Sequence, residues 1–274
     1  MIWRDSQLNL TPKKMEVFLV LAFFLALVLW SRFYKLLFQV HTFRPNKTHR
    51  TFLVVLPGAC VLFMAVDLWR WGSTDVRSSA GWIFLYTMGG AAWLLLGLYL
   101  LALLGVGVRD DVMERQNSAA AWVVYGTLIG TALCYAGSNF GSGPGTQVVI
   151  FCGVLSIISL FGFWFCLERI FHLADKVTVE RDEGTGIRAG GWMVSLGLIF
   201  GGAVAGDWES LEATVWDFIN YAWVAIVFLL AAVAIEWAFK RRQQKEGVRR
   251  GASAVIAVAY ILAAAVYVFS RGLP

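Results

Sequence analysis

The chain has 274 residues, of which 59% are hydrophobic and only 15% charged, and its mean hydropathy is +0.67. Soluble domains carry about a quarter charged residues, so this composition excludes an ordinary soluble globular protein. The net charge of +5 is spread between apolar stretches rather than gathered into a basic patch, which argues against a nucleic-acid partner.

Spanning a bilayer takes about 20 predominantly apolar residues per helix. Eight stretches qualify in chain order: 15–34, 51–69, 80–105, 118–138, 146–167, 187–206, 214–238 and 252–270. The first is followed by "SRFYKLLFQV" without a small-residue cleavage site, so it reads as a retained span rather than a leader. The sequence therefore predicts an all-α, polytopic transmembrane bundle of eight spans, with the lipid bilayer as its main partner.

Lys and Arg set the expected orientation. Seventeen of the 23 lie in connectors that follow odd-numbered spans, so those connectors are expected in the cytoplasm and both termini outside it. Ten of the 13 tryptophans fall at the expected span ends, as an interfacial aromatic belt requires. The basic connectors, "KRRQQKEGVRR" (240–250) above all, could also contact anionic lipid headgroups.

Spans 2, 4, 6 and 8 begin near residues 51, 118, 187 and 252, a spacing of 65 to 69 that predicts four repeated helix hairpins. Small residues recur in them at steps of 7 and 4: Ala119, Gly126, Gly130 and Gly137 in span 4; Gly190, Gly197 and Gly201 in span 6; Ala252, Ala259 and Ala263 in span 8. Those steps keep a residue on one face of a helix with about 3.6 residues per turn. In lipid, where apolar exclusion does not drive helix association, a small-residue face lets two backbones approach. All ten are thus candidate packing residues. Parallel repeats further predict pseudo-symmetry about an axis along the membrane normal.

The segment "ERQNSAAAWVVYGTLIG" (114–130), with Asn117 leading into Ser118–Ala121 and then Gly126, Thr127, Leu128, Ile129 and Gly130, resembles the signature of the YjfL-like proteins, a domain-of-unknown-function family of bacterial inner-membrane proteins. The family unit is four spans, so the resemblance implies two units in tandem, 1–139 (diverged at its start) and 140–274. It is closest over 109–207. Gly184 and Gly186 stand where the second copy of Asn is expected, and Gly251 where a later copy is. The resemblance implies an inner-membrane location and assigns no reaction.

No catalytic constellation is legible. Cys60, Cys134, Cys152 and Cys166 all lie inside expected spans and read as apolar packers. His41, His49 and His172 lack the spacing and the companions of a metal site. No cofactor is expected, and the chain reads as a non-enzyme. Glu168 and Glu236 occupy matching places in consecutive units, which makes them candidates for an acidic ring at the inner mouth of an ion path. The connector 172–188 is the expected docking surface for a cytoplasmic partner. Two functions follow: a membrane-embedded scaffold or membrane-stress component held by small-residue packing, with homo-oligomers or a complex partner, and alternatively a passive channel or small-solute transporter along the pseudo-symmetry axis.

Overall fold

The computed structural model describes residues 12–39, 47–143, 145–241 and 246–272, and among these it is helical with no strand. The elements are α1 (Pro12–Gln39), α2 (Lys47–Trp71), the short α3 (Thr74–Arg77), α4 (Ala80–Leu103), a π-helical turn (Val108–Glu114), α5 (Ser118–Ser138), α6 (Thr146–Phe171), the short α7 (Leu173–Thr178), α8 (Glu183–Val204), α9 (Leu211–Ala222), α10 (Val224–Arg241) and α11 (Glu246–Arg271). Side-chain caps start several of them. Ser79 accepts from the Trp82 N–H at 3.4 Å, Asn117 from Ala119 and Ala120, and Ser210 from Ala213 at 3.1 Å.

Seven helical segments among the described residues are long and apolar enough to cross a membrane: Thr48–Trp71, Ala80–Leu103, Ser118–Ser138, Thr146–Phe171, Glu183–Val204, Leu211–Lys240 and Arg249–Arg271. The sixth joins α9 to α10 through a turn at Trp223. The protein is therefore an all-helical, multi-pass membrane protein.

Helices α2, α5, α8 and α11 stand side by side in that order, with α5 against α8 the most extensive contact and α8 against α11 the next. Neighbours in this row run parallel and are displaced by a nearly constant interval. His49 meets Ser118 across 69 positions, Ser142 meets Asp207 across 65, and Arg188 meets Ser253 across 65. The intervening helices flank the row: α1 packs on α4, α4 on α5, and α6 on both α5 and α8. Among the described residues no packed interface joins α2 to α11, so the row ends open instead of closing into a ring about a central axis. The expected unit boundary at 139–140 falls between α5 and α6, and the α5–α8 contact crosses it.

Burial follows that order. In α5 and α8, 83% and 72% of the most apolar window is buried, against 28–39% in the other five. The outer helices turn Leu, Ile, Val and Phe outward, for example Ile158, Leu230 and Val266, as lipid-facing surfaces do.

Candidate functional site: a glycine seam and a buried polar layer at the basic end

Along the seam, glycines put backbone against backbone. A Cβ on Gly130 would lie 2.6 Å from the Met193 carbonyl oxygen, and one on Gly201 would lie 2.5 Å from that of Leu133. Those on Gly126 and Gly137 would strike the backbones of Gly190 and Gly201, and one on Gly197 that of Gly130. Gly190 abuts the Trp122 carbonyl, while Ala119 presents its backbone to Gly186. Seven of the ten small residues singled out in the sequence thus lie where α5 meets α8. Thr127 and Leu128, both fully buried, lie beside them in α5.

The α11 residues need correction. Ala259 and Ala263 face outward, and Ala252 is half-buried. The face turned to α8 is Ser253, Ala257, Tyr260, Ala264 and Val268, with Ala257 against Gly191. The stripe is rotated by about one residue. In an Ala-rich helix several registers satisfy the same spacing, and the larger contacts of Tyr260 and Val268 decide between them.

Asn117 has an evident task. Its Oδ1 accepts from the Ala119 and Ala120 N–H groups at 3.0 and 3.3 Å, and its Nδ2 donates to the Val177 carbonyl at 2.7 Å. It caps α5 and fastens the end of α7 to it. The corresponding cap of α8 is Asp182, not Gly184 or Gly186: its Oδ1 accepts from the Gly184 N–H at 3.1 Å. Gly251 lies inside α11, which begins at Glu246, so it has no capping position to fill.

Asp182 opens a polar network that sequence reasoning missed. Its Oδ2 accepts from Thr185 Oγ1 at 2.6 Å and from Arg249 Nη2 at 2.6 Å. One turn deeper lies Arg188, only 2% exposed. It grips Glu236 of α10 with two bonds, Nε to Oε1 at 2.6 Å and Nη2 to Oε2 at 2.9 Å. It also donates to Ser253 Oγ of α11 at 2.7 Å and to Thr185 Oγ1 at 3.0 Å, and its guanidinium carbon sits 4.1 Å from the Phe239 ring centroid. Lys176 Nζ stands 3.8 Å from Glu236 Oε2. A buried charge is tolerated when it is paired and its donors are satisfied, and this fork meets both conditions. Counting Arg188 as a topology charge of the 172–188 connector conceals the pairing. The signal available is a cation five residues inside a capped helix, with a carboxylate near the end of the next long span.

Glu236 is therefore committed to Arg188. Glu168 serves a different place: its Oε2 accepts from the Ala174 N–H at 2.6 Å across the break at His172, whose backbone is left-handed. The two carboxylates each hold a local partner and do not form a shared ring. The 172–188 connector is likewise no free loop, because α7 buries Leu173, Ala174, Val177 and Thr178. Its exposed positions are His172, Asp175 and the turn from Val179 to Arg181. On the other flank, His49 holds Tyr125 Oη at 3.0 Å through Nδ1 and Ser118 Oγ at 2.9 Å through Nε2, tying α2 to α5. His41 lies outside the described residues. Cys60, Cys134 and Cys152 are buried and Cys166 is exposed on α6. Among the described residues no group of three or more His, Cys, Asp or Glu gathers as a metal site would require.

Two overlapping stretches of the chain, residues 74–183 and 146–270, match the family described as Domain of Unknown Function (DUF350). The chain belongs to the DUF350 family. The first match runs from α3 to the start of α8 and the second from α6 to the last turn of α11, so the two share α6 and α7. No curated protein and no solved structure matches the chain.

Proposed function

We propose that this DUF350 protein is a non-enzymatic, non-conducting membrane scaffold: eight spans, with α1 as the first, built from four repeated hairpins that stack into a rigid wall. The observation that carries this reading is the α5–α8 seam. It fills the centre of the bundle with backbone contacts, where a conducting path would need a polar lining. The commitment of Glu168 to a backbone N–H and of Glu236 to Arg188 weighs the same way. On this reading the chain is YjfL-like, resides in a bacterial inner membrane with both termini outside the cytoplasm, and turns its basic end to anionic lipid and to complex partners.

The test is ion flux through the purified protein in liposomes under K⁺, Na⁺ and H⁺ gradients. Flux no greater than that of empty liposomes, from protein whose folding is verified by its melting transition, is the expected outcome. Flux above that level that falls in Glu168→Gln would replace the scaffold with the channel or transporter reading.

A further inference from the structure

The end of the bundle opposite Arg188 holds a pocket of about 80 Å³, the volume of a few water molecules at about 30 Å³ each. Its floor is the last turn of α5, Ser138 and Asn139, with Tyr86 of α4 and Leu68 of α2 beside it; its rim is the turns 140–143 and 205–208. These turns are fixed to one another. Gly206 N donates to the Phe140 carbonyl at 3.0 Å, Trp208 N to the Ser142 carbonyl at 2.9 Å, and Ser142 N to Asp207 Oδ1 at 2.7 Å. Gly141 and Gly206 hold positive φ of 98° and 133°, which lets the two turns meet. The pocket is thus a preformed feature of the stacked helix ends.

Its polar chemistry is one-sided. Asp207 and Asp217 line it, and among the described residues no Lys or Arg does. Arg70 and Arg77, the nearest cations in sequence, line a separate surface groove with Trp69. At the floor, Asn139 is 6% exposed; its Nδ2 is used on the Tyr135 carbonyl at 2.7 Å, and its Oδ1 accepts nothing. A buried amide oxygen with nothing to accept is costly. That oxygen and the lining carboxylates of Asp207 and Asp217 form a set of acceptors with no cationic side chain among the lining residues. One atom asks for the opposite: the Trp208 Nε1–H donates to nothing. A cation that keeps a water answers it through that water's oxygen.

We infer that this pocket binds a small monovalent cation, an alkali-metal ion or an ammonium group, held by Asn139 Oδ1 and the carboxylate of Asp217. Divalent metals are disfavoured, because they require a denser set of charged ligands than the described residues gather here. Neutral hydroxyl and carbonyl oxygens suit a singly charged ion. Occupancy would clamp the turn after α5 against α9. This goes beyond a passive scaffold by giving it a ligand at the end opposite its basic one.

The test is thermal unfolding of the full chain in detergent at constant ionic strength, titrating NaCl, KCl or methylammonium chloride against N-methyl-D-glucamine chloride, whose cation is too large for the pocket. Saturable stabilisation by at least one small cation is expected. Its half-saturating concentration should rise about tenfold in Asp217→Asn, an exposed site where folding is safe. Response to Na⁺ or K⁺ alone assigns a metal ion, and response to methylammonium alone assigns an ammonium group. Melting in N-methyl-D-glucamine chloride close to that of the wild type certifies the variant's fold. Coincident curves in all four salts overturn the proposal. So does a cation-specific shift that Asp217→Asn leaves unchanged.

Discussion

The two faces of α8 are built differently. Toward α5 it shows Gly190, Gly197 and Gly201, and the two helices meet through main-chain atoms along the whole span. Toward α10 and α11 it shows Gly191 against Ala257, but near the basic end it offers Arg188, which joins three helices through Glu236 and Ser253. The first face has shape but no strong directional bond; the second adds a few directional bonds. Lipid supplies little apolar driving force between helices. A glycine seam therefore gains stability through length and closeness, while a charged fork gains it at one point and fixes register there.

Replacing Arg188 should do the most damage. Arg188→Met leaves Glu236 buried with Lys176, at 3.8 Å, as its remaining ionic partner, and breaking such a pair costs about 3–5 kcal/mol. The double variant Arg188→Met/Glu236→Met should recover much of that loss, since both charges leave the interior together. Melting in detergent reads both, and a double variant no better than the single would show that the fork contributes more than paired charge. Next comes the seam. Gly130→Leu must push α5 and α8 apart at Met193, for about 1–3 kcal/mol or more, and unchanged melting would refute the close contact.

Asn117→Ala sharpens the contrast at the helix end. It removes the cap of α5 and leaves the Val177 carbonyl without its donor, at about 1–2 kcal/mol. Asn117→Asp keeps the cap and loses the second bond, so its transition should lie between those of the wild type and Asn117→Ala. The smallest effect is expected on α11. Ala263→Leu faces outward and should stay within about 0.5 kcal/mol of wild type, whereas Ala257→Leu runs into Gly191 and should not. Equal melting of the two would return the packing face to the sequence-derived register.

What can be read from the chain divides along the same line. Small-residue periodicity is local, so the amino acids alone disclose the faces of α5 and α8 through Gly126, Gly130, Gly137, Gly190, Gly197 and Gly201. Span limits are nearly as legible: 118–138 coincides with α5, and 146–167 falls short of the end of α6 by four residues. The fork is non-local. Arg188 and Glu236 are 48 positions apart, and each alone resembles an ordinary interfacial charge. Glu168 and Glu236 match in sequence position but bond different groups, because the left-handed break at His172 gives Glu168 a backbone partner while Glu236 holds Arg188. In α11 the abundance of alanine makes the stripe degenerate, and only the contacts of Tyr260 and Val268 fix which side faces in.

The parallel stacking of α5 on α8 also has a consequence for how the chain is made. A ribosome delivers α5 to the bilayer a full hairpin ahead of the helix that covers it. Until Val204 has emerged, the glycine face of α5 lacks its partner helix, and its depth and rotation are held by the cap at Asn117 and by the neighbours α2, α4 and α6. Biogenesis thus passes through a half-built state in which the most buried helix of the finished protein is the one most dependent on a segment still to be synthesised.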